Sequence, residues 1–317
     1  MKPATTPPGP APAGQGAGQG AEPQAPPPGT ASAAGLPAVP EPTAARRTWA
    51  AFRRNPLGVG SAATLLLIIA VALCAPLIAP FPEGYGVETS LPPGPGHWFG
   101  TDDIGQDVFA QVVWGTRVSV TVGVSASALA IVIGLLVGVT AAYFKRMDTP
   151  LGILIDLSLS LPVLPLMILV AALAGPSVRT LVVVIALFSW PEVARVVRSQ
   201  ALAIVPLPFV SAAKVVGGSA FWIIRKHLLP GLVPVVGVSV VLTTSRAVLS
   251  EAGLSFLGLG DPAGWSWGAI LHKAQMSGSL ASAWWTTLFP SAAILLLVLA
   301  TTLLSVAYND ARNHRAR

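Results

Sequence analysis

Charge is scarce in this chain. Asp, Glu, Lys and Arg make up 10% of its 317 residues, while 53% are hydrophobic. So few charges cannot cover a soluble domain of this length, and the several apolar runs of bilayer length point to a polytopic membrane protein. Cysteine occurs once, at Cys74, which excludes an intrachain disulfide; its place in an apolar run reads as a small buried hydrophobe. No lysine is preceded by glycine, so no G-x-x-x-x-G-K phosphate loop exists and the sequence offers no ATPase site of that kind. The four histidines (His97, His227, His272, His314) all fall outside the apolar runs, and there is no H-E-x-x-H. That removes an intramembrane metalloprotease and counts against a buried Ser/His protease. The excess of 19 basic over 13 acidic residues lies at the ends of apolar runs rather than on one aromatic-interleaved face. It reports membrane topology, not nucleic-acid binding.

The chain expected from these runs is all-α with six transmembrane helices. Residues 1–44 are almost wholly Pro, Ala, Gly, Gln and Thr and read as a disordered tail, with receptor docking as the alternative. Spans are expected at 57–78, 118–142, 151–172, 178–194, 232–249 and 284–307, and a long basic loop at 195–230. Twenty-two helical residues cover ~33 Å, enough for a ~30 Å hydrocarbon core. Fifteen of the 19 Lys and Arg fall on the side of both termini and the long loop, which makes that side cytoplasmic.

Local signals add detail. Thr101 or Asp102 is the expected N-cap of an amphipathic helix at the outer interface, before span two. The acids around it could be taken for a metal site, but nothing supplies ligand spacing, so a solvated cap and turn is preferred and no metal is expected. Gly134 and Gly138 permit close helix packing in span two, and Pro162 and Pro165 should kink span three. Asp156 is either a functional intramembrane acid or a partner of Lys145 or Arg146, the second being preferred. Trp284 and Trp285 read as interfacial aromatics at the outer boundary.

The long loop carries the informative pattern, Phe209–Pro230. Ala212, Ala213 and Gly217 share a helical face almost without side-chain bulk, open to close approach by a partner. Gly217-Gly218 should stop the helix, since glycine accepts the left-handed conformation. The spacing Ser211-Ala212-Ala213, three residues, Gly217, nine residues, His227, Leu228, Leu229-Pro230 resembles the EAA loop of ABC importer permeases. Ser211 replaces the motif's glutamate and His227 its isoleucine. Two further stretches, HWFGTDDIGQDV (97–108) and EAGLSFLGLG (251–260) followed by WSWG, resemble signatures of the dipeptide/oligopeptide, and nickel, permease family.

That resemblance implies type I ABC importer architecture and a chain without enzymatic activity in the bacterial cytoplasmic membrane. It also implies no cofactor on this chain, with ATP and Mg used by two partner ATPase subunits. A related second permease, giving a heterodimer, and an external substrate-binding protein complete the assembly. The loop, with Lys214 among its residues, would be the ATPase-coupling element and the cargo a di- or oligopeptide. Nickel or another small solute remains the alternative cargo. Arg246, Glu251 and Phe256 are the candidates for the pathway or outer gate, Arg246 either attracting a peptide carboxylate or snorkelling to the interface. An ion-coupled carrier is the rival from another class, and a receptor or channel subunit a third.

Overall fold

A computed structural model describes residues 52–53 and 55–313; the tail expected to be disordered lies outside the described residues. Helix α1 (Pro56–Ile78) begins at Asn55, whose side chain accepts from the amides of Leu57 and Gly58. Pro56 takes the first helical position, where a missing N–H costs nothing. Leu66, Leu67, Leu73 and Leu77 point outward from α1, a surface suited to lipid rather than water. Cys74 is exposed on the same helix. The expected burial is therefore corrected: what the apolar run supplies around it is a lipid-facing surface, not a core.

Helix α2 (Val108–Tyr143) runs 36 residues without a break. This corrects the separate interfacial helix expected before span two. Asp107, not Thr101 or Asp102, is the N-cap, its carboxylate accepting from the Ala110 amide at 3.1 Å. The carboxylate of Asp102 is taken up one turn earlier, accepting from the amides of Ile104 and Gln106 and from the Gln111 side chain. Burial pushes this carboxyl above its ordinary range, and those hydrogen bonds oppose the shift.

The third expected span is broken, not kinked. Helix α3 (Lys145–Ser160) and helix α4 (Val163–Ala174) meet at 87°. Leu161 is held extended by the proline that follows it, which ends α3, and Pro165 sits harmlessly in the first turn of α4. Helix α5 (Val178–Ile204) starts at the Ser177 cap and continues ten residues past the expected end at Ala194. Val197 and Ala201 continue its buried face there, and two acids on α3 reach its arginines: Asp156 pairs with Arg195 and Asp148 with Arg198, each at 2.6 Å. The partner expected for Asp156, Lys145 or Arg146, is thereby corrected to Arg195.

Short helices α6 (Pro208–Val215) and α7 (Ala220–Ile223) follow, then a π turn (Ile224–Leu228) that feeds helix α8 (Leu229–Phe256). The π turn precedes Pro230, which has no N–H and clashes with a regular preceding turn; widening that turn accommodates it. Helices α9 (Trp267–Met276), α10 (Ser279–Ser282) and α11 (Trp284–Asn313) complete the described chain. Five of its helices are long and apolar enough to cross a membrane, and the bent α3–α4 pair makes a sixth if it counts as one span.

The centre of the bundle is α2, with α5 running parallel and α8 antiparallel to it. Glycines set the distances. A Cβ on Gly134 would lie 2.7 Å from that of Val193, and one on Gly138 would lie 2.8 Å from the Ala194 carbonyl oxygen. On the α8 side, one on Gly123 would lie 2.2 Å from a Val248 methyl. Gly138→Leu should therefore abolish recovery of folded, monodisperse protein from the membrane, whereas Gly237→Ala, with open space around it, should not. Size-exclusion profiles in detergent check both.

Indole N–H groups tie down one end of the bundle. Trp114 donates to the Ala79 carbonyl, Trp265 to Pro82, Trp267 to Val112 and Trp285 to Thr101. Trp285 is thereby buried, which corrects its assignment as an interfacial aromatic; Trp284 is the exposed member of the pair.

Candidate functional site

The opposite end carries the long loop. Its start is a short helix, α6, whose end has Schellman geometry. The Gly218 amide donates to the Ala213 carbonyl and the Gly217 amide to that of Lys214, both at 3.0 Å, and Gly217 sits at φ +86°. Val210, Ile223, Leu228 and Leu232 are fully buried against Val193, Val197 and Ala201 of α5 and Val139 of α2. That inner face anchors the loop to two spans.

The outer face is different. Val215 and Val216 are 87% and 88% exposed, Phe221 is 74% exposed, and Phe209 and Trp222 are about half exposed. Ser211, Ala212 and Lys214 are exposed beside them and Ala213 is half-buried. A cation lies over an aromatic ring at each side, Lys214 over Tyr143 and Lys226 over Trp222, both at 4.9 Å. His227 packs between Phe209 and Trp222, and its Nε2 is buried without a hydrogen-bond partner. Leu229 is half-buried and Pro230 exposed. An apolar cluster with a basic rim, on a loop between spans rather than on a span, has the character of a protein-docking surface.

The remaining candidates divide. Arg246 is ion-paired with Glu192 of α5, a residue the sequence reading had left unassigned, and both side chains are more than half exposed. Glu251, by contrast, is fully buried; its carboxylate accepts from Ser119 at 2.9 Å and from Ser255 at 2.6 Å. The Ser119 hydroxyl in turn accepts from the Trp267 amide, so one carboxyl group joins α2, α8 and α9. Phe256 ends α8, and its carbonyl accepts from Nδ1 of His272 at 2.8 Å, which assigns the proton to that nitrogen. The long-range partners Glu192, Ser119, Asp148 and Arg195 carried no local signal that could have found them.

Comparison with known proteins agrees with this architecture. Residues 108–317 match the family model described as binding-protein-dependent transport system inner membrane component. Residues 43–93 match the N-terminal TM domain of oligopeptide transport permease C. The chain is 35% identical over 273 residues to the dipeptide transport system permease protein DppC of Bacillus subtilis, covering 85% of each chain. It is 34% identical over 271 residues to the glutathione transport system permease protein GsiD of Pectobacterium atrosepticum, covering 84% of this chain and 89% of that one. A putative peptide transport system permease protein of Brucella suis is 32% identical over 268 residues, covering 84% and 90%.

Proposed function

The chain belongs to the family of binding-protein-dependent transport system inner membrane components, and from that premise we propose that it is the membrane-spanning subunit of an ATP-driven importer of di- or oligopeptides. The observation that carries the coupling is the exposed apolar cluster on the long loop, Val215, Val216 and Phe221. Two ATPase subunits dock there, using ATP and Mg that this chain does not itself bind. Their closing and opening change the contact with α6, and the difference in contact energy drives alternating access. The loop's fully buried face transmits the movement to α2 and α5, and Leu229-Pro230 to α8. Both termini and the loop are cytoplasmic, in keeping with the clustering of basic residues on that side. A related permease subunit supplies the other half of the passage, and a binding protein delivers cargo from outside. The names of the relatives from Bacillus subtilis and Pectobacterium atrosepticum, a dipeptide and a glutathione permease protein, support a short-peptide cargo.

The test is reconstitution of the chain with its sister permease, ATPases and binding protein in liposomes. Uptake of a labelled dipeptide should require both ATP and the binding protein. Uptake by the chain without ATPases would instead identify an ion-coupled carrier.

A further inference from the structure

The Glu192–Arg246 pair joins α5 to α8 well inside both helices. Glu192 is fourteen residues from the start of α5 and twelve from its end, and Arg246 is ten residues from the end of α8. At ~1.5 Å per residue the pair is at least ~15 Å along the axis from any of those ends. Yet Arg246 is 63% and Glu192 54% exposed. Charged side chains in spans face protein or water, not hydrocarbon.

The surroundings of the pair are polar along the helix. Ser239, Thr243, Arg246, Ser250 and Gly253 recur at steps of four and three, which puts them on one face of α8, and all are half-buried or exposed. Ala247, Val248, Glu251 and Leu254 are buried on the other side of the helix. Exposed Leu242 and Leu249 flank the polar stripe. The exposed face of α1, by comparison, is lined by leucines, as a lipid-facing surface should be.

We propose that Glu192 and Arg246 stand in the water-filled translocation passage and receive the two ionised ends of a zwitterionic cargo. This rests on the reading above that the chain passes short peptides. Arg246 takes the carboxylate, through a planar fork suited to it, and Glu192 takes the ammonium group. Each charge that leaves its partner finds an equivalent one on the cargo, so opening the pair exchanges ion pairs rather than stranding charges. Such an exchange holds the cargo weakly enough to let it go, as passage requires. The pair also carries no net charge, so it does not trap ions of either sign.

The experiment uses the assembled complex with its ATPases and binding protein, in a Cys74→Ala background. Thr243→Cys and Ser250→Cys, each within about one turn of Arg246, should react with a charged, membrane-impermeant thiol reagent, and transported dialanine should slow the reaction. No reaction in a complex that still imports dialanine would put this face against protein or lipid and overturn the proposal. In the second arm, Arg246→Gln and Glu192→Gln should each lower dialanine uptake roughly tenfold or more. Among cargoes that the unaltered complex imports, Arg246→Gln should spare those with an amidated C-terminus. Equal losses for all cargoes, restored by the exchange Glu192→Arg with Arg246→Glu, would show a tie between helices and nothing more. If the unaltered complex imports no peptide, the peptide reading fails, while thiol labelling still decides whether the pair lies in an aqueous passage.

Discussion

Gly217→Asp is expected to abolish ATP-driven uptake and the co-purification of the ATPases, while the chain still inserts and folds. The two halves of that expectation have separate grounds. Gly217 stands at φ +86°, and a Cβ there meets nothing within 4 Å, so the side chain itself clashes with no neighbour. The left-handed conformation costs a non-glycine residue roughly 1–2 kcal/mol, and Asp tolerates it better than most. A bundle held by α2, α5 and α8 survives a penalty of that size at a loop tip. The docking surface does not. The new carboxylate lies next to Val215 and Val216 and close to Lys214, where it places a charge in what should be an apolar contact and draws the lysine away from the Tyr143 ring. A charge desolvated without a partner costs several kcal/mol, enough to lose a complex. Gly217→Asn separates the terms, because it keeps the backbone tolerance without the charge and should retain part of the uptake. Pull-down of the ATPases and a transport assay, run beside membrane-insertion controls, read all three. Survival of both coupling and co-purification in the aspartate variant would remove the loop from the ATPase contact.

What could be read along the chain was whatever depends on neighbours in sequence. Hydropathy located the spans because each is a continuous apolar run, and the Gly217-Gly218 stop follows from backbone sterics alone. Boundaries failed where a residue's meaning depended on a distant partner. Arg195 and Arg198 look like the start of a loop, but Val197 and Ala201 between and beyond them are buried, Asp156 and Asp148 pair with the two arginines from α3, and α5 continues to Ile204. The same extension moves Glu192 from near a span end to the middle of a helix. The Asp107 cap was missed because Thr101 and Asp102 are equally good capping residues. Asp102 is instead consumed by the turn before α2, whose Gly105 sits at φ +78°. The 87° break came from a rule that was available, the extended residue before Pro162, but the size of a bend is set by packing and not by proline alone. For the candidate site, the loop was legible and the ion pair was not.

Glu251 shows how much one such hidden partner can hold. Replacing it with leucine is expected to lower the stability of the chain by about 3 kcal/mol or more, the larger share through groups other than Glu251 itself. Its two oxygens accept from Ser119 and Ser255, both buried, and Ser119 also takes the Trp267 amide. Leucine leaves those hydroxyls without an acceptor, and an unsatisfied buried polar group costs about 1–3 kcal/mol. The site cannot relax by drifting apart, because the neighbouring turn is backbone against backbone: a Cβ on Gly268 would fall 2.3 Å from the Ala252 carbonyl oxygen. Water has no ready route in, since Glu251 is fully buried and Trp267 is 1% exposed. Glu251→Gln should cost far less, because an amide can accept from one serine and donate to the other. Removing the stranded partners together, as Glu251→Leu with Ser119→Ala and Ser255→Ala, should recover part of the loss. That ordering, leucine worst, the triple variant intermediate and glutamine mildest, is the readout, measured as thermal unfolding of the purified chain in detergent. If leucine proves as stable as the parent, the three helices are held at this end by packing and indole hydrogen bonds alone. If the triple variant is worse than leucine, the cost lies in lost side-chain volume and not in unsatisfied hydroxyls.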